Sequence, residues 1–170
     1  SSTRLPGKVL LKIKGITVLE HVIYRLKKCK TFNQIIVATS TDSSDDPIFK
    51  ICKKNKLHVF RGNLNDLLER YYICAKKFKL KSIIRITADC PVIDPEIVDK
   101  IVNIYNNGAY DLCGLDGDFP DGLDCFIMSI NALKKAYLNA KLISDREHVG
   151  PFILRTQNKF KVKKVKLFKN

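Results

Sequence analysis

With 170 residues, 45% of them hydrophobic and 28% charged, the chain has the size and composition of one folded domain with a sizeable core, which excludes a disordered polypeptide. No stretch is apolar enough to span a bilayer, and no signal peptide is visible at a start that reads as cut. The net charge of +14, from 31 Lys and Arg against 17 Asp and Glu, suits an anionic partner, but the lysines are spread along the whole chain and solvated helix faces account for most of them.

The chain opens SSTRLPGKVLLKIKG, where Arg4 and Lys8 flank a Pro6-Gly7 turn. TVLEHVIYRLKKC carries Val18, Leu19, Val22, Ile23 and Leu26 at helical spacing, and Thr17 with Glu20 predicts a capping box at its start. His21 lies within that stripe and reads as a core or interface residue. QIIVATS is a short apolar strand followed at once by polar residues. DDPIFKICKKN predicts a short helix with Pro47 in its first turn, and LHVFRG a further strand. NLNDLLERYYICAKKF is a helix with Leu64, Leu67, Leu68, Tyr71, Ala75 and Phe78 on one side. SIIRITADCP is a strand ending in an acid. In DPEIVDKIVNIYNNG, Asp94 is the expected N-cap, Pro95 the first helical residue and Gly108 the stop.

After Gly108 the pattern changes. YDLCGLDGDFPDGLDCFIMS holds two short strand-like pieces around an acidic turn, and NALKKAYLNAK and SDREHVGPFILRTQ follow as helices. In the tail KFKVKKVKLFK, apolar residues and lysines roughly alternate, which predicts an edge strand whose charges discourage pairing with other chains. Strand–helix alternation predicts an α/β fold with a mostly parallel sheet and helices on both faces, as one domain over residues 1–170. Functional groups in such sheets lie beyond the carboxyl ends of the strands.

Four stretches could carry chemistry. Gly7 lets backbone approach a phosphate, and Arg4 and Lys8 supply donors and charge, although a generic turn is an equal reading and the P-loop pattern is absent. Asp89 follows an apolar strand, where a lone carboxylate suits a Mg²⁺ ion that also holds nucleotide phosphates. Asp116, Asp118, Asp121 and Asp124 crowd a turn, as ligands for a metal or sugar hydroxyls or as solvated acids. In SDREHVGP, Ser144 and Glu147 predict a capping box, which leaves Arg146 and His148 as substrate contacts. His58 has no assigned role. The six cysteines at 29, 52, 74, 90, 113 and 125 form no C-x-x-C pair and no metal spacing with histidine, so they read as reduced thiols of a cytoplasmic protein.

In this order, SSTRLPGK, VLEHVIYRL, IIVATS, VFRGNLNDLLERY, RITADCPVIDPEIVD, FPDGLD and SDREHVGP resemble the spore coat polysaccharide biosynthesis cytidylyltransferases, relatives of the CMP-sialic acid and CMP-KDO synthetases. The resemblance covers nearly the whole chain. It implies a Rossmann-like sheet of nucleotide-diphospho-sugar transferase type. It also implies Mg²⁺-dependent transfer of CMP from CTP to a hydroxyl of a sugar or sugar acid, with pyrophosphate leaving. On that resemblance Ser2, Arg4 and Lys8 fall on the triphosphate loop, and Asp89 is the metal-binding acid, joined by Asp124. Ser40, Arg61 and Asp66 fall near the nucleoside pocket, and Asp121, Asp124, Arg146 and His148 face the acceptor. Residues 109–170 would form the acceptor-binding and homodimer-forming part, with no nucleic acid and no membrane as partners. Two departures stand out. The family begins with an apolar strand that this chain lacks before Ser1, and it tends to have an acid shortly after GLD, where Cys125 and Phe126 stand here. The alternatives are a nucleotidyltransferase using another nucleotide and a degenerate, non-catalytic binding domain.

Overall fold

The computed structural model describes residues 5, 7–116, 119–120 and 122–167. Ser2, Arg4, Asp118 and Asp121, all named above as site residues or turn acids, lie outside the described residues.

The first element among the described residues is a 3-10 turn, Lys8–Leu10, entered from Gly7 at φ 68, a left-handed conformation that glycine takes without Cβ strain. A two-residue hairpin follows, β1 (Lys12–Ile13) against β2 (Ile16–Thr17). Helix α1 (Val18–Leu26) starts with the expected capping box: Glu20 N–H donates to the Thr17 hydroxyl, and the Thr17 N–H donates to the Glu20 carboxylate. Next come β3 (Ile36–Ser40), α2 (Asp46–Lys54), β4 (His58–Gly62), α3 (Leu67–Lys77), β5 (Ser82–Arg85) and α4 (Pro95–Asn106). Asp94 caps α4 by accepting from the Glu96 and Ile97 N–H groups, and Pro95 occupies the first turn, as the sequence predicts. The remainder is β6 (Leu112–Leu115), β7 (Phe126–Ser129), α5 (Ile130–Asn139), α6 (Ile143–Glu147), α7 (Pro151–Arg155) and β8 (Val162–Val165).

β3 and β4 pair in parallel, joined through α2. The larger sheet has the order β5-β7-β6-β8, with β7 antiparallel to both neighbours and β8 parallel to β6. The α/β class holds, and the sheets combine parallel pairs with an antiparallel strand. The antiparallel strand arises because β6 and β7 are joined by a loop and not by a crossover helix, so the chain must reverse between them. The basic tail supplies the expected edge strand, with Lys163 and Lys164 exposed.

Alternation along these strands builds a core on each face of the sheet. Ile83, Leu112 and Met128 point to one side and pack with Leu68 and Ala75 of α3, Ala132, Leu133 and Ala136 of α5, and Ile153 of α7. Ile84, Cys113, Ile127 and Val165 point to the other and meet Val22 and Leu26 of α1 and Val98, Ile101 and Val102 of α4. Gly114 permits the close β6–β7 approach there, since a Cβ at that position would lie 2.8 Å from the Phe126 Cβ.

Three local expectations are corrected. Helix α3 begins at Leu67 rather than at Asn63, because the Asn63 side chain accepts from the Asn65 and Asp66 N–H groups and holds a turn there. SDREHVGPFILRTQ is two short helices, not one: His148 is extended and Pro151 opens α7. The Ser144–Glu147 capping box does not form. α6 starts after Leu142, and Asp145, 1% exposed, turns inward to receive Arg155. All six cysteines are free thiols. Among the described residues no helix is long and apolar enough to cross a membrane.

Candidate active site at the strand ends

Beyond the carboxyl end of β5 the chain runs Ile86-Thr87-Ala88-Asp89 and then turns at Cys90. Asp89 accepts an ion pair from Lys8, so the opening turn closes over the end of β5. Burial pushes the Asp89 carboxyl up, but the hydrogen bond and charge of Lys8, with further help from Thr87, outweigh it and hold the group below the usual carboxylate range. The carboxylate is therefore ionised at neutral pH. The Cys90 thiol lies 2.7 Å from the Thr87 hydroxyl, and burial together with the Asp89 and Asp124 carboxylates raises its pKa.

Asp124 reaches the same end of the sheet through strand register. Arg85 stands opposite Phe126 in the antiparallel β5–β7 ladder, so residues just before β7 continue alongside those just after β5. Asp124 is exposed there. Among the described residues no group of three or more His, Cys, Asp or Glu side chains could hold a metal by itself. Asp89 and Asp124 offer hard oxygen donors at one strand end, and Mg²⁺ commonly takes one or two carboxylates with phosphate and water completing its shell, so the donor set fits that ion. Phe126 stands near the position where the resemblance leads one to expect an acid. Its ring lies under the Arg85 guanidinium, 5.6 Å from the centroid, so it is a packing residue.

Ser40 and Arg61 meet at the carboxyl ends of β3 and β4. Ser40 is fully buried, and its hydroxyl donates to Asp45 at 2.6 Å, while its N–H and the Thr39 hydroxyl donate to the same carboxylate oxygen. Arg61 donates to the Ser40 and Asp42 carbonyls and pairs with Asp46 at 2.7 Å. Asp66 and Arg146 meet elsewhere. Asp66 caps α3 through the Glu69 N–H and receives Arg146 Nε at 2.6 Å. Arg146 also donates to the Tyr137 and Ala140 carbonyls, and Tyr137 stacks on Tyr72 with centroids 4.7 Å apart. That arrangement latches α6 and α5 to the start of α3. His148 is exposed at the end of α6.

The structure thus brings Lys8, Asp89 and Asp124 to one strand end and gathers Ser40 with Arg61, while Asp66 and Arg146 pair with each other. Sequence reading missed Asp45, whose signal was a hydroxyl pair at a strand end followed shortly by an acid. It also missed Arg70 and Arg85, whose Nε atoms are buried without a hydrogen-bond partner among the described residues.

A βαβ layer with a basic turn closing over a strand-end carboxylate defines an α/β protein of nucleotidyltransferase type. The chain belongs to the cytidylyltransferase family, whose profile matches residues 1–169. It is 36% identical to a cytidylyltransferase from Leptospira borgpetersenii serovar Hardjo-bovis whose solved structure superposes with a TM-score of 0.90 over 96% of this chain and 71% of that one. It is 38% identical over 161 residues to the uncharacterized protein MJ1063 of Methanocaldococcus jannaschii, which covers 95% of this chain and 66% of that protein. It is also 30% identical over 168 residues to the spore coat polysaccharide biosynthesis protein SpsF of Bacillus subtilis, covering 92% of this chain and 69% of that protein. The chain therefore spans about two thirds of the length of these curated relatives.

Proposed function

We propose that the chain is a CTP-dependent cytidylyltransferase that transfers CMP to a hydroxyl of a sugar or sugar acid in surface polysaccharide biosynthesis. The observation that carries this reading is the Lys8–Asp89 pair at the carboxyl end of β5. Nucleotidyl transfer depends chiefly on positioning and on neutralising phosphate charge, and a loop cation beside an ionised carboxylate suits both needs. In the step, the acceptor oxygen bonds to the α-phosphorus. The bond from that phosphorus to the β-phosphate bridge breaks, pyrophosphate departs with the electron pair, and the hydroxyl proton is released. Lys8 leaves Asp89 for the triphosphate as it arrives. Asp89, with Asp124, is then free to hold Mg²⁺, which when bound supplies charge neutralisation on the phosphates. No covalent nucleophile is needed.

In this reading Ser2 and Arg4 complete the triphosphate loop, Ser40 and Arg61 shape the nucleoside side, and Asp121 and His148 face the acceptor. Arg146 and Asp66 hold the acceptor-side helices in place. Residues 109–170 would carry acceptor binding and a homodimer contact. The exposed apolar side chains Leu138, Leu142, Ile143 and Leu154 support such a contact, with Ile143 77% exposed.

The test is pyrophosphate release with Mg²⁺ and a panel of sugar and sugar-acid acceptors, run with CTP, UTP, GTP and ATP in parallel. Release that requires CTP and one acceptor class is expected. Equal or better turnover with another nucleotide would overturn the cytidine assignment, and the absence of nucleotide binding by calorimetry would overturn the enzyme reading.

A further inference from the structure

Lysines that lie spread along the sequence are gathered by the fold. The last turn of α3 returns to the start of β4, where the Phe78 and His58 rings meet edge to edge with centroids 5.5 Å apart, so β5 starts beside the start of β4. From there backbone hydrogen bonds carry the row across the sheet: the Ile130 N–H donates to the Lys81 carbonyl, the Ser129 N–H to the Asp111 carbonyl and the Asp111 N–H to the Lys161 carbonyl. The starts of β4, β5, β6 and β8 thus share one end of the molecule, opposite the strand ends that carry Asp42, Asp45, Asp66, Asp89 and Asp124. The turns entering β4, β5 and β8 read KKNK (53–56), KKFKLK (76–81) and KFK (159–161), with nine lysines, all exposed. The turn entering β6, NNGAYD (106–111), brings one acid, Asp111, and its carboxylate is taken by the Lys161 N–H and the Ser129 hydroxyl. Glu20, which feels the charge of Lys54, is likewise taken by Thr17 and Asn55. Among the described residues none of the nine lysines is in an ion pair.

We propose that this end of the molecule is a docking surface for an anionic lipid bilayer, a partner that the family resemblance does not imply. Local stability does not account for all of the lysines. Lys53, Lys54, Lys76 and Lys77 complement the C-terminal dipoles of α2 and α3. Lys56 and Lys79 stand past those ends at φ 55 and 54, a left-handed place where glycine or asparagine is ordinary and a larger side chain is strained. Both turns nevertheless put lysine there. Three features select a bilayer over a nucleic acid. First, charge acts alone. Phe78 is packed on His58, and Phe160 is buried against Phe152, so neither ring is offered to a base, as single-stranded nucleic acid requires. Second, every cation of the row is a lysine, a hydrated point charge that acts through a diffuse field, whereas arginine forks are what grip guanines and phosphates individually. Third, the surface is broad. Six strand lanes at about 4.8 Å each make it at least about 24 Å wide, and the end of α3 adds a second row beside the sheet. A flat headgroup layer meets all of it at once, whereas a duplex curves away from it. With this end on the bilayer, the strand ends bearing Asp89 face water and stay open to solutes. The inference stands apart from the enzyme reading, since it uses none of the groups assigned to catalysis.

The test is flotation of the whole chain with phosphatidylcholine vesicles, with and without phosphatidylglycerol, at physiological salt. Binding that requires phosphatidylglycerol is expected. Each lysine near a charged membrane surface is worth about fivefold in binding, so Lys56→Glu combined with Lys79→Glu should weaken it by at least about 25-fold. Changing the same two residues to glycine should weaken it by about 25-fold without lowering the melting midpoint, because glycine is at ease at that φ, and this keeps docking distinct from folding. Lys100→Glu combined with Lys141→Glu changes net charge equally, on α4 and beyond α5. It should cost about threefold or less, since an exposed charge is screened within about 10 Å. Equal binding to the two kinds of vesicle overturns the proposal. So does an equal loss in the Lys100 and Lys141 variant, which would make net charge the cause. Duplex DNA that binds more tightly than the vesicles at the same salt also overturns it and assigns the surface to nucleic acid. None of these readouts involves nucleotide transfer, so this proposal and the enzyme reading can fail separately.

Discussion

Replacing Asp89 with Asn separates a functional carboxylate from a structural one. The substitution keeps the shape of the side chain and removes its charge. In the fold, Asp89 and Lys8 are 31% and 36% exposed in their side chains, so their ion pair is solvated and contributes at most about 1 kcal/mol to stability. For a domain of this length that is a shift of about 2–4 °C in melting midpoint. Transition-state stabilisation is a larger quantity. Losing one preorganised electrostatic group at a reacting phosphate costs roughly 10²–10³ in turnover, or about 2.7–4 kcal/mol. The assay pairs a thermal melt with single-turnover pyrophosphate release, using CTP, Mg²⁺ and the acceptor that serves the unmodified chain best. The expected result is a midpoint within a few degrees of the parent and turnover reduced by two to three orders of magnitude. Turnover within about threefold of the parent would refute the placement of Asp89 in the site. A fall of more than about 10 °C would show that the pair is structural, contrary to its exposure.

Three further outcomes test the architecture. Leu133→Ala opens a cavity at a fully buried position between α5 and the sheet and should cost about 2–5 kcal/mol in urea unfolding; a loss below about 1 kcal/mol would contradict the packing. Asp66→Asn can still cap α3 but leaves Arg146 without its counter-charge, so it should cost about 1.5–3 kcal/mol, and combining it with Arg146→Ala should cost clearly less than the sum of the two. Additive losses would mean the latch is not a unit. Acid stability should follow the depressed carboxyls Asp45, Asp89 and Asp99. Burial opposes ionisation in all three, and hydrogen bonds from Ser40 and Thr39, from Lys8, and from Thr31 and Lys30 outweigh it. A folded-state pKa below the unfolded value of about 3.9 adds stability above that value, which is lost as pH falls through the folded one. Urea midpoints should therefore hold down to about pH 5 and fall below pH 4, less steeply in Asp45→Asn, and an identical acid slope in that variant would count against the Asp45 network.

Local signals in the sequence were read correctly because they are enforced locally. Thr17 with Glu20, and Asp94 with Pro95, satisfy the orphan N–H groups of their own helices, whatever the rest of the chain does. Strand order is a different kind of fact. The alternation of Ile127 and Met128 fits an apolar strand in any neighbourhood, and nothing local says that β7 lies between β5 and β6. The Asp66–Arg146 latch joins residues 80 positions apart, and each half reads alone as a cap or a free cation.

The partners of each predicted site residue also rank them. Ser40 gives its hydroxyl and N–H to Asp45, Arg61 spends its guanidinium on two carbonyls and Asp46, and Asp66 and Arg146 hold each other. A ligand that recruited any of these would have to break a part-buried bond and leave a group unpaired, at a cost of about 1–3 kcal/mol for each. Lys8 and Asp89 face no such barrier. Their pair is solvated, worth little, and made of one group that wants an anion and one that wants a cation. A metal–triphosphate presents both charges at once, so exchanging the ion pair for such a ligand leaves neither partner unsatisfied. The strand-end pair is therefore where binding energy can act with least loss, while Ser40 and Arg61 already serve to fix the turn after β3.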